Sequence, residues 1–284
     1  MIALASPSGQ DRAMRTFLVA AALVASPSMA LADVAFDPLS MDRHMPGSRI
    51  NLDLGYEVWD DANGTDLTVL GLNIGGQFVG RSGLGGYANI PLSYIGIENF
   101  LLDDSELAIG NIEAGVVYTK WFRGNTAVVF HGGVALPTAD DDGPGAFQAF
   151  ASVPRYGDLV QRVPDSTWLR FGVSPMGRGG ILFWRADIGL DLALDEDSTN
   201  LSPIFRINVG GGVDLGGAQL LAELVTNIVD EQGNDNSAST LSLGARFVSG
   251  NLRPGIGLLL PIGFDNFDAL DFAVIGSLAV HLAP

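Results

Sequence analysis

The chain of 284 residues contains no cysteine and only three histidines, and Lys120 is its single lysine. Without cysteine there are no disulfides, thiolate metal sites or cysteine nucleophiles. The scarcity of lysine is unusual, because soluble sheets usually carry lysines on their wet faces and edges. Positive charge is short altogether: 15 Lys+Arg against 32 Asp+Glu leave a formal net charge of −17, which argues against a nucleic-acid partner. No stretch reaches the roughly 18 consecutive apolar residues of a membrane-spanning helix. The histidines are His44, His131 and His281, thin material for acid–base catalysis.

What the chain does have is alternation. In RINLDLGYEVW, Arg49 to Trp59, the apolar Ile50, Leu52, Leu54, Tyr56 and Val58 alternate with Arg49, Asn51, Asp53, Gly55 and Glu57. Strand side chains point alternately to opposite faces, so one face is oily and the other polar. The pattern recurs in ILFWRADIGLDLAL, where Leu182, Trp184, Ile188 and Leu190 oppose Arg185, Asp187 and Asp191, and in PIFRINVGG, where Phe205, Ile207 and Val209 oppose Arg206 and Asn208. Strands are expected near 49–59, 67–78, 86–95, 107–121, 126–137, 167–175, 181–192, 203–214, 218–228, 238–248, 253–262 and 270–282. Many have the length of about 9–11 residues that a tilted membrane strand needs. No helical period lasts long enough to compete.

The connections alternate in kind. GRSGLGG, RGN, MGRGG, LGGA and SGNLR are short Gly/Arg turns, whereas DDANG, IENFLLDDSE, PTADDDGPG, DEDSTN, DEQGNDNS and GFDNFD are acidic or longer. An up-and-down meander puts odd and even connections at opposite ends, so short turns collect at one rim and long loops at the other. The expected fold is all-β: an antiparallel up-and-down transmembrane β-barrel of about twelve strands, with lipid on its oily face and a lumen inside. The rival is a secreted soluble β-sandwich with the oily face as its core. Strand count, the two-sided loop pattern and the near-absence of lysine favour the barrel, since only a closed sheet satisfies its backbone groups in lipid. Aromatic belts are expected from Phe78, Tyr87, Tyr118, Trp121 and Phe247 near the short turns and from Trp59, Tyr94 and Trp168 near the acidic loops.

Residues 1–32 are expected to be a secretory signal peptide. Arg15 precedes the apolar run Phe17 to Val24, and Ala30-Leu31-Ala32 makes an A-x-A exit before Asp33. Met14 is the more usual start, which makes 1–13 an extension. Residues 33–47 are then a periplasmic N-terminal segment and 48–284 the barrel.

Inward by alternation are Arg49, Asn51, Asp53, Glu57, Glu113, His131, Arg170, Arg185, Asp187, Arg206, Asn208 and Glu223. Arginines facing carboxylates across a narrow lumen make a transverse field and a selective constriction; the same groups could instead fill and stiffen a small barrel as ion pairs. His131 is expected to face the lumen near Asn111 or Ser93. The connection 138–166 is the longest and is too apolar for an idle loop, with Phe147 and Phe150 followed by Arg155, Tyr156 and Asp158. It is a candidate gate folded into the lumen, or a lid on the outer rim. The acidic groups Asp103-Asp104, Asp140-Asp141-Asp142, Asp195-Glu196-Asp197 and Asp230-Glu231 mark the outer loops and lack calcium-loop spacing. No metal site, cofactor or catalytic residue is expected, and the chain is not expected to be an enzyme.

GNIEAGVVYTKW (Gly110 to Trp121) and GGVALPTAD (Gly132 to Asp140) resemble strands of the phenol-degradation-associated, MetA-like outer-membrane proteins, which show a GD-x-E-x-G strand and an LPTG strand end. Asn111 stands here for the usual Asp and Ala139 for the usual Gly. The resemblance implies a Gram-negative outer-membrane channel for small, often aromatic or hydrophobic, molecules. The expected function is passive passage of such a permeant through a charged lumen. The alternative is a structural or adhesive barrel with a filled lumen and cation-binding acidic loops. Expected partners are outer-membrane lipid and lipopolysaccharide, the permeant and the barrel-insertion machinery.

Overall fold

A computed structural model of the chain describes residues 36–59, 65–99, 103–122, 125–139, 142–194, 201–231, 234–263 and 270–282. The expected signal peptide lies outside the described residues. The strands are β1 (Arg49–Trp59), β2 (Thr65–Val79), β3 (Leu84–Asn99), β4 (Asp103–Ile109), β5 (Glu113–Phe122), β6 (Thr126–Ala135), β7 (Trp168–Gly179), β8 (Leu182–Ala193), β9 (Ile204–Asp214), β10 (Ala218–Glu231), β11 (Asn234–Phe247), β12 (Leu252–Ile262) and β13 (Leu270–His281). Twelve of them form a closed antiparallel ring and β4 stands outside it. Closure is made at β1, where Arg49 is paired with Gln77 of β2 on one side and with His281 of β13 on the other. This bears out the expected barrel, and within the closed ring no strand is left as an open edge.

One expected strand, 107–121, is two. On β3, Asn89 pairs with Glu113 of β5 and Leu92 pairs with Ile109 of β4. Three steps along β3 thus meet four along the other chain, which is a bulge of one residue. Pro91 of β3 has no N–H to give the ladder, while its carbonyl still accepts from Gly110 at 2.9 Å. The surplus residue, Asn111, turns fully inward.

The two rims differ as expected. Each of the five short turns carries one residue of left-handed backbone: Gly83, Asn125, Gly180, Gly216 and Gly250. Such φ values suit glycine and asparagine and let a strand reverse in a few residues. At Gly83 a side chain would also strike the Thr119 carbonyl. The outer faces of the strands are apolar and exposed, as at Ile50, Leu52, Leu54 and Tyr56 on β1 and Trp184, Ile188 and Leu190 on β8. Among the described residues no helix is long and apolar enough to cross a membrane. Of the aromatics assigned to belts, Phe78, Tyr94, Tyr118 and Phe247 do face outward, but Tyr87 and Trp168 are buried inside.

The lumen is filled by the chain itself. Phe36–Ser48, an irregular strap leading into β1, crosses the short-turn half of the barrel with nearly every residue buried. The expected periplasmic segment is therefore, over its described residues, a lumenal one: its charges are paired inside the barrel, with the inner wall, with the inner segment and with one another. A 3-10 helical segment, Gly143–Arg162, enters from the long-loop end, broken by non-helical backbone at Arg155 and Asp158. Inward glycines make room for both. A Cβ on Gly55 would lie 2.4 Å from Pro154 of the segment, and one on Gly244 would lie 2.3 Å from Leu39 of the strap.

Candidate functional site

The inward residues expected from alternation are all buried inside the barrel, packed among the described residues of the chain itself. Arg170, Arg185, Arg206, Glu113, Glu223 and Asn208 are each at most 1% exposed, because the strap and the inner segment occupy the space between them. Of the candidate gate, Arg155, Tyr156 and Asp158 are buried within the barrel, whereas Phe147 is exposed and Phe150 lies edge-on to Trp59 at 5.2 Å.

The strap is held at three carboxylates. Asp37 takes Arg49 at 3.0 Å, His281 at 2.9 Å and Arg253 at 3.4 Å. Arg246 anchors the backbone there, donating to the carbonyls of Asp37 and Pro38, each at 2.8 Å. Glu223, on the inner face of β10, accepts from three consecutive strap amides, Leu39, Ser40 and Met41, at 2.7–2.9 Å. This is a charged acceptor set against backbone donors, among the stronger hydrogen-bond arrangements. Asp42 receives His44 Nδ1 at 2.7 Å, Arg185 at 3.3 Å, and His131 and Arg206 each at 3.4 Å. Burial alone would raise the Asp42 carboxyl; His44, His131 and Arg185 reverse this and hold it well below the usual carboxylate range.

The two plugs meet in mid-lumen. Arg43 of the strap bridges Asp53 on the wall and Asp158 of the inner segment, both at 3.1 Å. Arg155 donates to the Leu39 carbonyl at 2.8 Å. Behind this contact, Arg170 reaches Glu113, Asp191 and Asp158 together. Glu113 also accepts from the Tyr87 hydroxyl at 2.6 Å. Asp187 pairs with Arg185 at 2.7 Å, and Glu57 accepts from Trp59 Nε1 at 3.2 Å.

Asp42, His44 and His131 bring three ligand-type atoms within 4.8 Å of one another. They do not suit a divalent cation. Both oxygens of Asp42 already face guanidinium groups, so an ion there would sit against two positive charges, beside two imidazoles that stack with centroids 3.9 Å apart and 18° between planes. His131 thus neighbours Asp42 and His44 rather than Asn111 or Ser93. Asn111 instead binds the end of the inner segment, donating to the carbonyls of Val160 at 3.0 Å and Val163 at 2.7 Å.

Alternation missed the strap entirely, because its charges (Asp37, Asp42, Arg43, His44) follow no period. A signal was present in the density of charge just ahead of the first strand, in a protein otherwise poor in cations. Arg246 was within reach of the same alternation that exposed Arg170: it shares an inner face with Ser242 and Gly244.

Fold and site together define an outer-membrane-type β-barrel with a polar, self-plugged lumen. Solved structures share the form. The NanC porin superposes with a TM-score of 0.53 at 8% identity, over 82% of this chain and 100% of that one. The β-domain of the Bordetella autotransporter BrkA gives 0.48 at 14% identity over 83% and 99%. LpxR from Salmonella typhimurium gives 0.47 at 12% identity over 82% and 100%. No family model matches the chain and no curated protein is significantly similar to it, so the MetA-like resemblance is not confirmed. The expectation that the chain is not an enzyme is corrected: a likeness at 8% identity shows the fold alone, and the barrel form gives no ground to exclude catalysis.

Proposed function

We propose that the protein is an outer-membrane passage for a small molecule, shut in the state described here by its own strap and inner segment. The observation that carries this reading is how the two plugs meet. Their contact includes ion pairs and hydrogen bonds, Arg43 to Asp158 and Arg155 to the Leu39 carbonyl, beside an apolar cluster that gathers Phe36, Leu39 and Met41 of the strap with Val153 and Tyr156 of the inner segment. Water can replace the polar part when the segments part, and that charged part favours a shutter over a permanent filling, since exchanging a buried ion pair for well-packed hydrophobes is often neutral or stabilising. The permeant class that the MetA-like resemblance implies, small aromatic or hydrophobic molecules, fits the aromatic group Trp59, Phe147 and Phe150 at the long-loop mouth. Residence in a Gram-negative outer membrane, among its lipids and lipopolysaccharide, belongs to the same reading.

The test uses the absence of native cysteine. Cysteines replacing Arg43 and Asp158 can be joined by a short, reducible bismaleimide in protein reconstituted into vesicles. Uptake of a small aromatic solute above that of protein-free vesicles is expected for the wild type and the unjoined variant. Joining should abolish it and reduction should restore it. Wild-type vesicles no leakier than empty ones, or uptake indifferent to the link, would favour the filled structural barrel instead.

A further inference from the structure

A cavity of about 790 Å³ opens at the short-turn end, below the strap. That is the size of a site for a small organic ligand. Its charged lining is of one sign: Arg49, Arg81, Lys120 and Arg253, with His281 beside them and no carboxylate among the lining residues. In a chain of net charge −17 this is a local reversal, and it includes the only lysine. Beneath the cavity a single carboxylate, Asp37, is divided between Arg49, Arg253 and His281. The floor therefore keeps an excess of positive charge. Arg49 and Arg253 are each more than nine-tenths buried, and the Nε–H of both lacks an acceptor. Arg81 and Lys120 have no ion-pair partner among the described residues. The remaining wall is largely apolar and includes Val79 and Trp121.

We propose that this vestibule binds a small organic anion: a carboxylate carried on an apolar, aromatic-sized body. The carboxylate offers acceptors to the unfilled guanidinium donors and to Arg81 and Lys120, and charge-assisted bonds of this kind are strong where water is scarce. The body lies against Trp121 and Val79. The site stands apart from the passage reading, because binding needs no opening of the plugs.

The probe is 2-naphthoate, titrated calorimetrically into the whole folded barrel in maltoside micelles, with the neutral 2-naphthylmethanol as its partner probe. The acid should bind at least about tenfold tighter than the alcohol, and its affinity should fall as salt is raised. R81Q/K120Q should weaken the acid by about tenfold and leave the alcohol unchanged, while the charge-keeping R81K/K120R retains wild-type affinity. Both positions are exposed, so the barrel should stay folded, which its heat-dependent shift on a gel reports. Equal affinity for the two probes, or acid binding that ignores the double substitution, would overturn the site and mark the signal as micelle partitioning. Naphthoate bound by a barrel that never passes solute would remove the passage and leave this site standing.

Discussion

Asp158 is a residue asked to face three guanidinium groups: Arg155 at 2.9 Å, Arg43 at 3.1 Å and Arg170 at 3.3 Å. Burial by itself would push its carboxyl up, but those three arginines outweigh burial and hold it far below the ordinary carboxylate range. A carboxyl depressed in the folded state stabilises it at any pH above the unfolded value of about 3.9, and that contribution drains away as pH falls below it. The meeting of strap and inner segment should therefore be indifferent to pH from neutrality to about pH 5 and loosen below about pH 4. Amide hydrogen exchange over residues 155–162, corrected for intrinsic rates, reads this directly. Asp158→Asn should lose protection already at neutral pH, since it leaves buried cations without their counter-charge, a change worth about 3–5 kcal/mol. Protection unchanged down to about pH 2 in the wild type would show that the carboxylate does not hold the plugs together.

Elements explain where the inner segment is fixed. The bulge between β4 and β5 sends Asn111 inward, where its Nδ2 bonds the carbonyls of Val160 and Val163 and its Oδ1 accepts from the amides of Thr138 and Ala139. One side chain thus ties both ends of the long β6–β7 connection to the wall. Asn111→Ala would strand the Val160 carbonyl and the Ala139 amide, at about 1–3 kcal/mol for each one left unsatisfied, while the Val163 carbonyl still accepts from Ser166 and the Thr138 amide still donates to Leu136. The ring itself does not depend on them. Trypsin cleavage at Arg155 or Arg162 should accelerate by about tenfold or more through local opening, with the gel shift of the folded barrel retained; cleavage at the wild-type rate would place the anchor elsewhere. The strands were legible because a period of two survives in sequence: Ile50 to Val58 face out and Arg49 to Glu57 face in, as alternation requires. The break at Asn111 was not, because it depends on Pro91, a donor missing from the neighbouring strand rather than from its own. The strap escaped the alternation for a different reason. Its contacts join residues about 40 positions from the start to Glu223 and His281, and an irregular segment placed by ion pairs leaves no repeat to read.

At the scale of the molecule, charge and greasiness are sorted by direction. Acidic groups such as Asp66, Glu98, Asp103 and Asp104 gather toward the long-loop rim, cations such as Arg81 and Lys120 toward the short-turn rim, and large apolar side chains cover the outer wall between them. The alternation showed this sorting but not the plugged interior, because an inward charge reads the same whether it meets water or another segment of the chain. The lack of native cysteine allows a direct test that hydrocarbon, rather than a second protein layer, covers the wall. A single cysteine at Leu54 or Ile188, both half-exposed and in mid-strand, can carry a bimane label in lipid vesicles. Lipids brominated in mid-chain should quench it strongly, and quench a label at Leu215, in a short turn, much less. The gradient follows because only a closed sheet, its backbone groups all paired within the ring, is tolerated against hydrocarbon. Equal and weak quenching at the three positions, in a protein that also stays dissolved without detergent, would mean that the apolar face is an interior one and that the closed ring packs against protein.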